Sequence, residues 1–321
     1  MEYKTYRFEF DQGVHIGKDS LEDGAYSLCS DTIFSAICIE ALKNGGEDNL
    51  INFVNLCKNN DIKISDGFPF IGQDFYIPKP IYRIEKQEDG NSKQKKLYKK
   101  LSYIKSNSIV SYLEGKLNPQ LETNDFKKLG KYSINAKVNL SGEDKNNLFN
   151  VGSYHFHDGK EKCYGNEKYD RSGIYIIVGV SKIEYFEYID ELLDQLSYSG
   201  IGGKRTAGYG RFVLKHGKLE NEFLANIDKK HSKKYILLST AMAKKEELDN
   251  VLTNAQYQLI KRSGFVLSDT YSKSPLKKKD FYSFKSGSIF ESYFEGDIFD
   301  VSNNGGHPVY RYAKSLFLGV D

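Results

Sequence analysis

Five glycines, two adjacent cations and a further arginine fall within fourteen residues: Ser199-Gly200-Ile201-Gly202-Gly203-Lys204-Arg205-Thr206-Ala207-Gly208-Tyr209-Gly210-Arg211-Phe212. No other stretch restricts the chain as strongly. Glycine accepts positive φ and lets another group approach the main chain closely. Free N–H groups in such a loop, with Lys204 and Arg205 beside them, would form a cradle for a polyanion. Two phosphate loops are excluded. A Walker loop requires Gly-Lys followed by Ser or Thr, and here Arg205 follows Lys204. The dinucleotide fingerprint G-x-G-x-x-G fails because Gly200 and Gly202 lead to Arg205. Both motifs also run from strand into helix, whereas here a helical pattern precedes the loop and a strand pattern follows. Two readings stand at this point: a glycine-rich helix-to-strand turn, or a phosphate contact.

The 321 residues exceed what one hydrophobic core usually organises, so two domains are expected. A net charge of +3 does not by itself point to nucleic acid, which shifts the weight to local clusters. Cys29, Cys38, Cys57 and Cys163 contain no C-x-x-C pair, and the N-terminus has no secretory apolar segment; they read as reduced thiols of a cytoplasmic protein. No apolar run approaches ~18 residues, so no membrane partner is expected. Tyrosine (24) and phenylalanine (20) are abundant without any tryptophan, a surplus suited to base stacking as well as to cores.

Tyr3 to Phe10 alternates as a strand, and Gly13-Val14-His15-Ile16-Gly17 is a tight connection. Ser30 or Asp31 is expected to cap a helix bearing Ile33, Phe34, Ile37, Ala41 and Leu42, ended by Gly45-Gly46, with a shorter helix holding Leu50, Phe53, Val54 and Cys57. Residues 64–84, with Phe68-Pro69-Phe70 and Ile77-Pro78-Lys79-Pro80, read as loop and edge strand. The lysine-rich segment 85–100 reads as a solvated loop or an RNA contact. Residues 132–160 form a long hairpin: Ile134, Ala136 and Val138 alternate, residues 141–147 turn, and Leu148 to Phe156 returns. Ile174-Tyr175-Ile176-Ile177-Val178 is a buried strand; Ser181 with Glu184 makes a capping box; Ile183, Phe186, Ile189, Leu193 and Leu196 mark an amphipathic helix. The order strand, helix, strands, helix, strand is that of a ferredoxin-like β-α-β-β-α-β unit, the layout of an RNA recognition module. The expected class is therefore α+β, with two such domains: 1–222, carrying the hairpin and the glycine-rich loop 200–210, and 233–321, after a linker at 221–234. In the second, a charged helix is expected from about Lys244 and strands around 263–268, 281–290 and 309–320.

Four stretches together resemble the RAMP superfamily of CRISPR proteins, and within it the fourth Csm-type subunits of type III-A effector complexes: Gly13-Val14-His15-Ile16-Gly17, Ser30-Asp31-Thr32-Ile33-Phe34-Ser35-Ala36, the glycine loop with Lys204 and Arg205, and His307-Pro308-Val309-Tyr310-Arg311-Tyr312-Ala313-Lys314. The resemblance implies a non-catalytic role without cofactor. It implies a grip on the 5′ repeat-derived handle of a CRISPR RNA (crRNA), a cap on the repeating RAMP backbone, and docking of the large polymerase-cyclase subunit. It also implies that the hairpin is a thumb that displaces a nucleotide, with Val138, Asn139, Leu148 and Phe149 as its wedge. His15, Gly200, Gly202, Gly203, Lys204, Arg205, Gly208, Gly210 and Arg211 are then the expected RNA-binding residues.

Two alternatives remain. Some RAMP relatives cleave precursor RNA without metal through a histidine near the first strand, and His15 has that place and suitable acid-base chemistry. The chain could also be a stand-alone module for single-stranded RNA. Among lesser candidates, His155 and His157 share a strand face near Asp158 and Cys163, open to zinc or to plain surface exposure. Asp31 reads as a helix cap or a metal ligand, His307-Pro308 as a turn, and Lys277-Lys278-Lys279 as a solvated loop or a contact surface.

Overall fold

The computed structural model describes residues 1–17, 20–83, 92–139, 147–159, 170–266, 268 and 270–321. In chain order the first part contains β1 (Glu2–Phe10), α1 (Ser30–Lys58), β2 (Ile62–Ile64), β3 (Phe68–Ile71), β4 (Asp74–Pro78), α2 (Ser92–Lys100), β5 (Tyr103–Lys105), α3 (Ile109–Leu113), α4 (Pro119–Phe126), β6 (Gly130–Asn139), β7 (Asn147–Phe156), β8 (Ser172–Val180), α5 (Tyr185–Ser199) and β9 (Phe212–Gly217). The main sheet is antiparallel in the order β5-β4-β3-β8-β1-β9, with β2 also paired to β8. Every residue of β8 is buried, because the sheet is covered on both faces. On one face Tyr6, Phe8, Phe10, Ile174 and Ile176 pack against Ile33, Phe34 and Ile37 of α1 and Leu192, Leu193 and Leu196 of α5. On the other, Tyr175 and Ile177 meet Phe75, Ile77 and Ile104 together with residues of the second part.

That second part contains α6 (Asn221–Ala225), β10 (Lys234–Leu237), α7 (Leu248–Val251), β11 (Leu259–Arg262), β12 (Phe281–Phe284), β13 (Ile289–Phe290), β14 (Gly296–Asp300), β15 (Tyr310–Lys314) and β16 (Phe317–Val320). A three-stranded sheet, β13-β10-β16, accompanies the antiparallel pairs β11-β12 and β14-β15. The segment expected to be a linker is not a solvated one. Phe223 and Ile227 join Ile236, Leu238 and Leu316 in the second core. Among the described residues no helix is long and apolar enough to cross a membrane.

Local expectations hold where backbone geometry decides them. Helix α1 breaks at Gly45 and Gly46, the latter at φ 70°, between the two predicted helices. Others fail for identifiable reasons. Pro69 lies in an internal strand, opposite Ile174 of β8. It is tolerated because β4 pairs only with Phe70 and Ile71, so Pro69 has a neighbour on one side alone. No capping box forms at Ser181: its hydroxyl donates to Asp61 at 2.5 Å, α5 begins at Tyr185, and Ile183 is exposed. The part of the lysine-rich segment that is described is helical, α2, with Lys95, Lys96, Lys99 and Lys100 exposed; residues 84–91 lie outside the described residues. The charged helix expected from Lys244 shrinks to the single turn of α7, since Asn254 at φ 56° stops it.

The start of α1 departs furthest from expectation. The cap position is Cys29, which makes no side-chain cap bond, and neither Ser30 nor Asp31 serves as the cap. The Ser30 N–H instead donates to Asp66 Oδ1 at 2.7 Å, and the same carboxylate accepts from Thr240 N at 2.6 Å and Thr240 Oγ1 at 2.9 Å. Asp31, 1% exposed, accepts from Arg262 Nε at 2.9 Å and Nη2 at 2.8 Å, and from Arg311 Nη1. Burial alone would raise the Asp31 carboxyl, but the two guanidinium groups outweigh it and hold it below the ordinary carboxylate range. The helix start thus joins the two parts of the chain by charge.

Replacing Asp31 by Asn strands two arginines without their counter-charge and should cost about 3–5 kcal/mol of folding stability near neutral pH. Because the folded-state value is depressed, this contribution is present above the unfolded value of about 3.9 and fades as pH falls below it. Urea unfolding of both proteins at pH about 7 and about 3 should show the gap between them narrow; an equal gap at both would refute the charged clamp.

Candidate nucleic-acid interface

The segment Gly13–Gly17 is threaded between the β6-β7 hairpin and the glycine loop. Val14 exchanges N–H···O bonds of 2.9 Å in both directions with Tyr154 of β7. On its other side Gly203 N–H donates to His15 O at 2.8 Å, and Gly210 N–H donates to Gly13 O at 3.1 Å. The loop is closed on itself by Ile201 N–H to Gly210 O at 2.9 Å. Gly202 lies against the His15 carbonyl and Gly203 against its ring. Gly210, at φ 79°, has no room for a side chain: a Cβ there would stand 2.0 Å from Ile201 O.

This geometry takes several amides out of the expected cradle. The N–H groups of Gly200, Ile201, Gly203, Ala207, Gly208 and Gly210 all donate within the protein. What the loop offers outward is its side chains. Lys204, itself at φ 57°, places Nζ 4.7 Å from the ring of Phe149 on β7. Lys137 of β6 places Nζ 5.5 Å from the ring of Tyr209. Each such cation–π contact is worth about 0.5–1 kcal/mol at an exposed site, and the pair ties hairpin and loop in both directions. Arg205 is half-buried and Arg211 exposed.

His15, expected at the RNA surface, is 5% exposed. Its Nδ1 lies 2.6 Å from Gly152 O; a carbonyl only accepts, so Nδ1 carries the proton and donates. The ring pins segment 13–17 to β7 and is turned inward.

Strands β6 and β7 pair from Gly130↔Phe156 to Asn139↔Asn147. Paired residues share a face, so Ile134, Val138 and Leu148 lie together. They are 52%, 46% and 75% exposed, an apolar stripe that packing among the described residues does not cover. Lys131, Ser133, Asn135 and Lys137 occupy the opposite face with Phe149. Phe149, placed with the wedge on sequence grounds, is therefore under Lys204 and not in the apolar stripe. Asn139 ends β6, and the tip at 140–146 lies outside the described residues. Lys131 and Lys137 were not singled out in the sequence, although period-two alternation with Phe149's strand was available to find them.

The remaining candidates make contacts within the chain. His155 Nε2 is 3.0 Å from Ser153 Oγ, and its ring faces Gly13. Among the described residues no three His, Cys, Asp or Glu side chains group to hold a metal; Cys163 lies outside them. His307 Nε2 is 2.8 Å from Ser268 Oγ, and Lys277 lies 5.7 Å from the Phe265 ring. Burial pushes the Cys29 thiol up to about 12, so it carries no thiolate at neutral pH.

A family model described as the RAMP superfamily matches residues 14–213, and one described as the CRISPR Csm4 C-terminal domain matches residues 230–320. The CRISPR system Cms protein Csm4 of Mycobacterium tuberculosis is 34% identical over 321 residues, spanning 100% of this chain and 98% of that protein. The chain belongs to the Csm4 family of the RAMP superfamily. The Streptococcus thermophilus family member is 32% identical, with 100% of both chains covered. The fold agrees. A chain in the crystal structure of a Csm3-Csm4 subcomplex of the type III-A CRISPR-Cas interference complex superposes with a TM-score of 0.67 at 17% identity, covering 99% of each chain. A chain in a Csm1-Csm4 cassette in complex with cA4 gives 0.62 at 15% identity, covering 99% of this chain and 98% of that one.

Two glycines of this loop should respond differently to the same substitution. Gly208, at φ 88°, has open space around it, so Gly208→Ala should cost only about 1 kcal/mol of backbone strain. Gly210→Ala, with strain and overlap combined, should cost about 3 kcal/mol or more. Denaturant unfolding of the two variants checks this; equal costs would contradict the packed loop.

Proposed function

We propose that this Csm4 family member is a non-catalytic RNA-binding subunit of a type III-A CRISPR effector complex in antiviral defence. It grips the 5′ handle of the crRNA, caps the backbone of repeating RAMP subunits and docks the large polymerase-cyclase subunit. The observation that carries the reading is the hairpin with its base. An apolar stripe of Ile134, Val138 and Leu148 is exposed, Lys137 and Lys204 lie where the hairpin meets the glycine loop, and Arg205 and Arg211 follow in that loop. Side-chain cations hold phosphates, and the stripe offers an apolar wedge beside a splayed base, the combination that single-stranded RNA requires.

The strand order β9-β1-β8-β3, with α1 and α5 on one face, supports a ferredoxin-like unit in 1–222, extended by the thumb hairpin. We read 233–321 as the second, reduced unit. RNA would not lie on the sheet as in an RNA recognition module, since the face that carries Tyr175 and Ile177 is filled by the second core. The names of the superposed complexes, Csm3-Csm4 and Csm1-Csm4, are consistent with a backbone subunit and a large subunit as partners here.

A nuclease reading would rest on His15, and its burial and its bond to Gly152 O count against a reacting 2′-hydroxyl reaching it. The exposed apolar stripe favours an assembled subunit over a stand-alone RNA module.

Changing Lys204 and Arg205 together to Ala should weaken binding to a repeat-derived RNA and reduce the slope of log K against log salt by about 1.4, two contacts at ~0.7 each. An unchanged slope would remove phosphate contact from the loop. In a single-turnover assay on labelled repeat RNA, neither the parent chain nor His15→Ala should cut at a defined position. Cleavage by the parent that His15→Ala abolishes would make His15 catalytic and overturn the scaffold.

A further inference from the structure

The main sheet ends at β9, which among the described residues pairs only with β1. One row of its backbone N–H and C=O groups therefore points away from the sheet, and Val213, Lys215 and His216 are exposed along it. Uncovered edges of this kind are templates for another strand. Beside this edge, on the side of α5, is a cavity of about 390 Å³ lined by Ser197, Tyr198, Arg211, Phe212 and Val213. A second cavity of about 360 Å³ opens on the other side of Tyr198, toward Glu40, Lys43 and Gln195. Tyr198 stands between the two and is 72% exposed. An exposed aromatic ring between two hollows is the arrangement of an interface anchor.

Register decides what would enter the first hollow. Phe212 stacks on Phe8 with ring centroids 4.2 Å apart, so it points to the face covered by α1 and α5. A strand added about 4.8 Å outside β9 would send every second side chain to that same face, over Phe212 and beside Tyr198. Charge narrows the occupant. Glu187, Glu191 and Asp194 are exposed along α5 at helical spacing that leads to Tyr198. Of the nearby cations, Lys43 is paired with Glu40 and Arg211 lies at the loop end, so the acidic stripe itself is open to Lys and Arg of a partner.

We propose that the free edge of β9 and the hollows flanking Tyr198 dock an extended strand of a partner protein subunit by strand addition. That strand places an apolar side chain beside Tyr198 and basic side chains along α5. The inference rests on the reading that the chain is an assembled subunit, and it adds the surface and the mode of docking.

The test is hydrogen exchange on residues 212–217, measured in the free chain, in the chain with repeat RNA alone, and in the assembly purified after co-expression with the backbone and large subunits of the same host. Assembly should slow exchange in this strand at least about tenfold, as expected when free-edge amides gain partners. RNA alone should leave it unchanged. A Tyr198→Ala, Val213→Lys double variant, checked for an unaltered melting temperature and RNA affinity, should enter the assembly at least about tenfold less at limiting concentration. An assembly that forms without protection of 212–217 would overturn this docking mode and leave the proposed function standing. Failure of any assembly to form would overturn both, and protection by RNA alone would assign the edge to nucleic acid and overturn the protein occupant.

Discussion

The N-terminus of α1 holds the molecule together through two carboxylates whose partners lie mostly in the second part of the chain. Asp31 neutralises Arg262 and Arg311, and Asp66 collects the amide of Ser30 and both donors of Thr240. Both groups are almost fully buried, where an unpaired charge would be prohibitive. Each therefore has value only when the two parts of the chain are docked. The apolar counterpart is the second core, where Tyr175 and Ile177 of the main sheet share contacts with Ile236, Leu238 and Leu318. Hydrophobic burial supplies most of the attraction, and the buried charges restrict how the parts can meet.

That docking has a functional consequence. By filling one face of the sheet it removes the surface on which an RNA recognition module would stack bases, and α1 and α5 fill the other. The exposed chemistry is displaced to the periphery: to the hairpin and glycine loop at one place, and to the edge of β9 at another. Arg211 borders both, lying at the end of the loop and on the rim of the cavity beside Tyr198. The proposed RNA grip and the proposed docking edge would thus be neighbours on one chain, meeting at Arg211.

The glycine loop was legible by position, and the structure shows how several of its amides are used. Its glycines are spaced for a loop between helix and strand, and it is one, with Gly200 ending α5 and Phe212 beginning β9. The amides of Gly203 and Gly210 clasp His15 and Gly13 against β7. Of its cations, Lys204 lies over Phe149, Arg205 is half-buried and Arg211 is exposed.

Much of the local structure was legible in the sequence because local rules produce it. Alternation sets β1, the run from Ile174 to Val178 sets β8, the spacing of Phe186, Ile189, Leu193 and Leu196 sets α5, and Gly45-Gly46 sets the break in α1. Each depends on side-chain period or on φ over a few neighbouring residues. The tertiary structure alone decided that Asp31 is a clamp and not a cap, that His15 is a pin, that Phe149 lies beneath Lys204, and that the segment after β9 is core. Asp31 meets partners 231 and 280 residues away, and His15 meets one 137 residues away. No periodicity over a few residues encodes such distances. A buried carboxylate and an exposed cap look alike in sequence until the chain brings a guanidinium to one of them.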